Sequence, residues 1–478
     1  MTPEREEERA LRAYFAEAER DSEELAVQDR KLDEAIRMGI ERGRNRRLPY
    51  SRWRVGAALA AAALLVLVLL PWLTGLTNQT MSARKPLTNW GELEPFREIL
   101  KDQITPRTAL DYGEVHRTLG AASGEKNGYR FTVDAVIADR RGMFVLYTTE
   151  NHSDKKAQIA GFMLKDQDTG KSIYAGYSSW GDMESGKGTA HHIIQVTWDQ
   201  AVQKIPASVT ATLTMTEDSP EALTSSSMKY RTELMTSFRL DESGAVHEGR
   251  DIPINSSMII DGQEILLSKA YIGPTGIYVD YDYKDSNSMK IFGLISPTIL
   301  SGAEGKTSKL TSFMSYKGDL GIGTMVFSND NENERGPLTL TVEGIQALDK
   351  GRLTLVVDTE KKEILKAPDS KLKFSDVPAA KGQMVLRYSE PGILRGNDNS
   401  INTWYGVSLD IDYTDGIGKG HKLDTSHMES SQREGAEGRT VDYYINLGEP
   451  SEYLPQPLTF TLYSYPNPIL EHKSLRIR

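Results

Sequence analysis

The sequence predicts a mainly β protein that is held in a membrane by one transmembrane helix. Three observations lead to this prediction. Residues 4–40 contain no proline and are rich in helix-forming side chains. Val55–Leu76 is a predominantly apolar run. Past Tyr112 the chain alternates between apolar and polar residues and is punctuated by Gly, Asn, Asp and Ser, which is typical of many short strands.

The predicted cytoplasmic segment, residues 1–54, is α-helical and too short to bury a sizeable core. Its side chains at helical spacing form two apolar stripes, of which the first is Leu11, Tyr14, Phe15 and Ala18. The members of the second stripe are Leu25, Leu32, Ile36 and Ile40. Two interpretations stay open. The segment is either a solvated or self-associating helix before the membrane, or a pair of amphipathic helices that dock on a cytosolic partner through this stripe.

The predicted transmembrane helix is Val55–Leu76, and no charged residue occurs between Arg54 and Arg84. At about 1.5 Å per residue its 22 residues span roughly 33 Å, enough to cross the hydrocarbon core of a bilayer. Arginines crowd only its N-terminal flank, which places the N-terminus in the cytoplasm and the C-terminal bulk outside. A signal peptide would have a shorter charged region and a small-residue cleavage site. We therefore predict a single-pass anchor in the cell membrane.

Charge and cysteine content exclude several classes of function. The chain has 57 basic and 67 acidic residues, a net charge of −10, and residues 1–54 contribute 13 of each sign. The whole negative charge therefore lies beyond residue 54, which argues against nucleic acid as a partner. The chain has no cysteine, so disulfides, cysteine nucleophiles and zinc–thiolate sites are excluded.

The region beyond the predicted span repeats itself. Glycine opens a similar apolar strand at Gly128, Gly262 and Gly382, with spacings of 134 and 120 residues. Each repeat ends with a proline-led, threonine-containing strand and one further strand. The prolines are Pro206, Pro337 and Pro457, and the further strands are Phe238–Leu240, Leu353–Val357 and Leu475–Ile477. Repeats of this length with about seven strands predict tandem immunoglobulin-like β-sandwiches.

A short helix is predicted before the first repeat. Asn89 followed by Glu92 resembles a capping box, and the apolar side of the helix would be Leu93, Phe96, Leu100 and Ile104. The predicted organisation is a cytoplasmic segment, a span, a juxtamembrane helix with linker, and three immunoglobulin-like units. Their boundaries are 1–54, 55–76, 77–110, 111–241, 242–365 and 366–478.

The sequence contains little that indicates chemistry. His191 and His192 are adjacent in a predicted strand and would point to opposite faces, so a shared metal is not expected. Two carboxylate sets recur one repeat apart, each with a period of two and a third member in the following loop. They are Asp280, Asp282 and Asp285, and Asp410, Asp412 and Asp415. Each set would suit calcium or, alternatively, a solvated sheet face that discourages edge pairing. We predict neither a catalytic site nor a cofactor.

The layout resembles a known group of membrane proteins. A charged helical N-terminus with Leu32-Asp-Glu-Ala-Ile36 and Gly39-Ile-Glu-Arg-Gly43 precedes one span, and glycine-led apolar strands follow. This is similar to single-pass proteins of Gram-positive endospore-forming bacteria that carry immunoglobulin-like ectodomains of unknown function. Many members are described as anti-sigma factors. The resemblance covers the span, its flanks and the first two repeats; residues 1–25 and the third repeat match less well.

The resemblance implies that the cytoplasmic helices sequester an extracytoplasmic-function sigma factor and that the ectodomain responds to an envelope signal. Leu25, Leu32, Ile36 and Ile40 would then be the apolar anchors. Cleavage in Thr77–Thr88, followed by cleavage within the span, would release the sigma factor. The alternative is a surface adhesin or cell-wall-binding protein anchored by one span, since a fold does not decide a function.

Overall fold

A computed structural model describes most of the chain after the predicted span, and the described residues belong to one compact body, Lys85–Arg478. The described ranges are 86–118, 121–173, 175–181, 184–185, 187–198, 206–219, 228–240, 249–302, 307–317, 322–330, 336–391, 406–435, 438–448 and 453–478. The body is mainly β, as predicted. None of the helices in these ranges has the length and apolar character of a membrane span. The predicted span and cytoplasmic segment lie outside the described residues.

The first β-unit consists of two antiparallel sheets that face one hydrophobic core. Its described strands are β1 His116–Arg117, β2 Tyr129–Ala138, β3 Gly142–Asn151, β4 Ala157–Asp166, β5 Ala175–Gly181, β6 Glu184–Ser185, β7 Gly188–Trp198, β8 Ser208–Glu217 and β9 Arg231–Arg239. The sheets run in the orders β1-β2-β3-β7-β5 and β6-β4-β8-β9. Alternate residues point inward, and Phe131, Val145 and Leu213 are fully buried between the sheets.

A helical cap covers the outer face of the five-stranded sheet. It consists of a 3-10 helix, Gly91–Arg97, and the α-helix α1, Ile104–Asp111. Its buried side chains and those of the sheet form one cluster, which includes Trp90, Phe96 and Phe144. The predicted juxtamembrane helix therefore exists in two pieces and packs on the first β-unit.

The predicted capping box does not form. The residue that caps the 3-10 helix is Trp90 and not Asn89, and its side chain makes no capping hydrogen bond. The Asn89 side chain instead accepts a hydrogen bond from the amide of Gly91, the first residue of the helix, at 2.6 Å. Glu94, and not Glu92, reaches back to accept from the Trp90 amide at 3.0 Å. The prediction is wrong because the helix begins after Trp90 and not after Asn89, so the first free amide lies one residue later in the chain.

The second β-unit is built on one continuous sheet that folds around a hydrophobic core. Its first eight strands are β10 Arg250–Ile260, β11 Gln263–Gly273, β12 Gly276–Tyr283, β13 Met289–Ile295, β14 Thr298–Ser301, β15 Ser308–Lys317, β16 Gly323–Phe327 and β17 Leu338–Asp349. Strand β15 connects the two halves of this sheet, because its first residues pair with β14 and its last residues pair with β16. The enclosed core includes Ile277, Phe327 and Leu340.

The third β-unit again has two sheets on one core. Its described strands are β18 Thr354–Asp358, β19 Glu363–Lys366, β20 Leu372–Phe374, β21 Gln383–Pro391, β22 Ser408–Thr414, β23 Gly420–Lys422, β24 Asp424–Gly435, β25 Gly438–Asn446 and β26 Leu458–Ser464. The sheets run in the orders β19-β18-β26-β22-β23 and β20-β21-β25-β24. Leu355, Leu386 and Phe460 are fully buried between them.

The chain returns to the second β-unit after completing the third. The last strand, β27 Pro468–Arg476, pairs with β17, and Ile477 is buried in the second core. Leu353–Val357 was predicted to end the second repeat, but β18 pairs with β26 in the third β-unit. Leu475–Ile477 was predicted to end the third repeat, but it completes the second. The third β-unit is therefore inserted between two paired strands of the second.

The repeat glycines have the same structural role. Gly128, Gly262 and Gly382 all adopt positive φ, between 72° and 78°, at the start of their strands. Glycine suits these turns because a side chain would strain the left-handed conformation. The three β-units share these glycine-led strands but do not share the way in which the strands pair. β2 pairs with β3 and β11 with β12, whereas the matching β21 and β22 lie in different sheets.

Candidate functional site

The turn between β2 and β3 inserts into the second β-unit. Asp139 begins this turn and is fully buried. One carboxylate oxygen accepts hydrogen bonds from the backbone amides of Arg141 and Gly142, at 2.7 and 3.1 Å. The other accepts from the amide and hydroxyl of Thr275, at 3.0 and 2.7 Å. One side chain thus shapes its own turn and binds the neighbouring β-unit.

Arg141 and Asp280 form a buried ion pair across the same junction. Arg141 donates from Nη2 and Nη1 to the two carboxylate oxygens of Asp280, at 2.6 and 3.2 Å. The two side chains are only 6% and 8% exposed. Thr324 also donates to Asp280, at 2.8 Å, and the guanidinium carbon lies 5.0 Å from the ring centroid of Tyr278. Asp280, one of the calcium candidates, is therefore neutralised by an arginine.

The rest of the first carboxylate set does not gather around Asp280. Asp282 lies on the same face of β12, as the period of two predicts, but it is exposed. Asp285 is exposed in the turn that follows, where its backbone carbonyl accepts a hydrogen bond from Lys350 Nζ at 2.9 Å. Asp280 therefore belongs to the junction between two β-units, whereas Asp282 and Asp285 are carboxylates exposed to solvent.

The second carboxylate set lies around the hairpin formed by β22 and β23. Asp410 is half-buried near Lys290 of the second β-unit; burial lowers the pKa of Lys290, and Asp410 opposes this effect by raising it. Asp412 is exposed and lies 3.9 Å from Lys422 Nζ. The three carboxylates have different partners and do not converge.

Asp415, the third member of this set, organises the turn of the hairpin. It interacts with His421 Nε2 at 3.0 Å and accepts hydrogen bonds from the amides of Ile417 and Lys419 at 3.1 and 2.9 Å. Burial raises the pKa of the Asp415 carboxyl, but these hydrogen bonds outweigh burial and leave its pKa below the ordinary value. Its carboxylate is thus fully used within the turn.

Within the described ranges, no three or more His, Asp or Glu side chains are arranged to hold a metal ion. His191 and His192 lie on opposite faces of β7, as adjacent strand residues should. His191 packs against Phe96 of the helical cap, with ring centroids 5.0 Å apart. His192 stacks on Tyr147 inside the first β-unit.

An open groove of about 480 Å³ lies on the outer face of the third β-unit. Its lining residues are Asp412, Tyr413, Thr414, Gly420, His421, Lys422, Thr459 and Thr461. The groove lies beside an irregularity in the ladder: Leu409 pairs with Leu462 and Tyr413 pairs with Phe460, so three residues of β22 face one residue of β26. Such bulges re-aim side chains and are common beside functional sites.

Sequence reasoning reached only part of these sites. Asp280 and Asp412 were singled out, and Thr459 and Thr461 belong to the proline-led strand, but Arg141 and Lys422 were missed. The sequence signal for Arg141 was an Arg-Arg pair in a tight turn between two buried strands, where an unpaired charge is costly. The predicted partner-binding residues Leu25, Leu32, Ile36 and Ile40 lie outside the described residues.

Comparison with known proteins adds little. No protein-family model matches the chain, and no curated protein matches it. A solved structure described as "The crystal structure of the conserved domain protein from Bacillus anthracis" is similar to part of it, with a TM-score of 0.32 and 15% identity, over 52% of this chain and 84% of that chain. A likeness this low carries no argument about function, so the functional conclusion rests on the residues of this chain.

Proposed function

We propose that the chain is a membrane-anchored regulator that sequesters an extracytoplasmic-function sigma factor through its N-terminal helices and responds to an envelope signal through its β-units. The observation that carries this proposal is the division of the chain around Val55–Leu76. A large β body, Lys85–Arg478, lies on the predicted outer side, and residues 1–54, with two short apolar stripes, lie on the predicted inner side. Such a segment is suited to docking on a partner rather than to folding alone.

We also infer that the β-units are immunoglobulin-like sandwiches. Two antiparallel sheets facing one core in the first and third β-units, and one antiparallel sheet folded around a core in the second, support this assignment. The insertion of the third β-unit into the second is a departure from simple tandem repeats. The label describes architecture and does not by itself imply an activity.

Release of the sigma factor is proposed to begin with cleavage in Thr77–Thr88. The described end of this stretch, residues 86–88, is exposed and immediately precedes the buried helical cap. Exposed segments next to packed structure are preferred sites of proteolysis. If sigma activity rises under envelope stress while the whole chain stays full length, this route is wrong.

Co-isolation tests the sequestration proposal. The full chain would be purified in detergent from its native membrane, and bound proteins would be identified by mass spectrometry. A sigma factor should co-purify with the wild type, and the Leu32→Asp/Ile36→Asp double variant should retain about thirtyfold less, because the loss of apolar anchors typically costs 2 kcal/mol or more. Glu34→Arg, a change off the apolar stripe, should retain it. The proposal fails if no sigma factor is enriched or if the double variant binds as well as the wild type.

The second candidate function is a surface adhesin or cell-wall-binding protein. The groove on the third β-unit is the observation that favours it, since such a protein needs an exposed ligand site. In that case residues 1–54 would be only an anchor flank. The same co-isolation experiment separates the two candidates, because an adhesin requires no sigma factor on the inner side.

A further inference from the structure

We propose that the groove on the third β-unit binds a neutral, polyhydroxylated ligand, such as a glycan chain without phosphate groups. The inference deepens the proposed function and rests on it, because the third β-unit must face the envelope to meet such a ligand. It would give the ectodomain a chemical signal to recognise.

The hydroxyl groups of the groove are available for a ligand. Thr414, Thr459 and Thr461 line it, and none of the three side chains forms a hydrogen bond with another residue of the described ranges. A threonine hydroxyl both donates and accepts, and its methyl group contributes apolar area beside it. This combination matches a sugar ring, whose hydroxyls and C–H groups alternate around its faces.

The charge of the groove favours a neutral ligand. Asp412 and Lys422 lie 3.9 Å apart on neighbouring strands, so the lining contains one charge of each sign. Both side chains are well exposed, at 69% and 75%, and can offer charge-assisted hydrogen bonds to hydroxyls. An anionic polymer would gain little here and would meet a protein whose whole net charge of −10 lies beyond residue 54.

The groove is supported from below by rigid structure. Tyr413 is buried and stacks between His421 and Phe460, with ring centroids 5.2 and 5.0 Å away. Asp415 holds His421 in place at 3.0 Å. Hence the exposed residues above can be changed without disturbing the core. The volume of about 480 Å³ lies within the range of small-ligand sites.

The second β-unit supplies a matched control. Asp282 occupies the position in the first carboxylate set that Asp412 occupies in the second, and it is also an exposed strand aspartate. It lies outside the groove. Asp282→Ala therefore removes the same chemical group from the same chain without touching the proposed site.

Isothermal titration calorimetry on the purified full chain tests the inference, with the N-acetylated tetramer tetra-N-acetylchitotetraose (chitotetraose below) as the neutral probe and poly(glycerol phosphate) as the anionic one. We expect chitotetraose to bind and the anionic polymer not to bind. Asp412→Ala should weaken binding about tenfold, as expected for a lost charge-assisted hydrogen bond, and Asp282→Ala should leave it unchanged. Thr461→Val, which keeps the shape and removes the hydroxyl, should also weaken binding; circular dichroism melts establish that each variant is folded.

The inference is overturned if the wild type does not bind chitotetraose, if only the anionic polymer binds, or if folded Asp412→Ala and Thr461→Val bind as the wild type does. These outcomes are independent of sigma-factor capture, which depends on residues 1–54. Loss of glycan binding with intact sigma capture would reject only the groove. Glycan binding without sigma capture would reject only the sequestration.

Discussion

At the scale of single residues, Arg141 and Asp280 are the side chains on which the junction between the first and second β-units depends most. They lie in different β-units, and neither side chain is more than 8% exposed. Taking two charges out of water is costly. Their mutual contact, the hydrogen bond from Thr324, the ring of Tyr278 beside the guanidinium and Lys269 at 3.8 Å from Asp280 offset this cost. A buried pair of this kind fixes the geometry of a junction more clearly than it adds stability.

Removal of either partner should therefore destabilise the junction strongly. Arg141→Met would leave the buried Asp280 with only Thr324 and the half-exposed Lys269, whose Nζ is 3.8 Å from the carboxylate, as partners. We therefore expect the junction to lose about 3 kcal/mol, the lower end of the cost of breaking a buried pair. Arg140→Ala is the matched control, because Arg140 pairs with the 45% exposed Asp251 and such pairs contribute about 0–1 kcal/mol. Native-state hydrogen exchange of the β3 and β12 amides measures both. Equal exchange rates in the two variants would contradict the prediction.

Asp134 should make the stability of the first β-unit depend on pH. Burial raises its pKa to about 6; the hydrogen bond from Thr148 opposes this shift and the nearby Glu150 adds to it. Since the folded-state pKa lies above the ordinary value of 3.8, its favourable contribution is present below that value and is lost as pH rises through about 6.

Asp134→Asn should consequently stabilise the protein at pH 7.5, because an amide oxygen can still accept from Thr148 and carries no charge. The gain in melting temperature over the wild type should shrink as pH falls toward 4. His191 lies in the same hydrogen-bonded chain and burial lowers its pKa, but the difference between variant and wild type reports mainly on Asp134. A gain that is constant or grows toward acid pH would refute this sign.

At the scale of elements, β27 is the strand whose position matters most. It leaves the third β-unit and completes the second, so the second core depends on the last residues of the chain. Ile477 is 7% exposed there, and its amide donates to the Leu338 carbonyl at 2.8 Å. The two β-units are thus coupled through the chain itself.

A pair of substitutions tests the role of β27. Ile477→Ala should cost about 2–5 kcal/mol, as large-to-small changes in cores do, and should speed hydrogen exchange in β10–β17 before it does so in β18–β26. Leu470→Ala, within β27 itself but at a side chain that is 55% exposed, should change stability by less than about 0.5 kcal/mol. Faster exchange only in the third β-unit would mean that β27 does not stabilise the second.

The elements also show how far local sequence can predict a fold. The strand starts after Gly128, Gly262, Pro337 and Pro457 were predicted correctly, because turn residues and alternation are local properties of the sequence. The sequence did not predict that β18 would join the third β-unit and that β27 would join the second. β18 and β27 are both short alternating segments, and only long-range packing decides which core each one joins.

In the candidate sites, too, only the features that depend on local sequence were predicted. The aspartates of each set were predicted to share a face because strand alternation is local, and Asp280 and Asp282 do so. Their chemistry was not predictable, since it depends on partners distant in sequence. Arg141, which neutralises Asp280, is 139 residues away. The groove needs a bulge in β22 that no motif in the sequence indicates.

At the scale of the whole molecule, successive contacts connect the helical cap to the third β-unit. The cap packs on the first β-unit, the Asp139 turn and the buried ion pair join the first to the second, and β27 joins the second to the third. Tight junctions of this kind would allow an event at an outer β-unit to alter the cap, which lies next to the proposed cleavage stretch Thr77–Thr88.

The central claim is that the N-terminal stripe inhibits a sigma factor, and transcription in living cells tests it most directly. A reporter driven by a promoter of the co-isolated sigma factor would be measured in cells that carry the wild-type chain or the Leu32→Asp/Ile36→Asp variant at equal abundance. We predict that the variant raises reporter activity without any envelope stress, to the level seen when the chain is deleted. Reporter activity that is unchanged in both the variant and the deletion strain would contradict the claim.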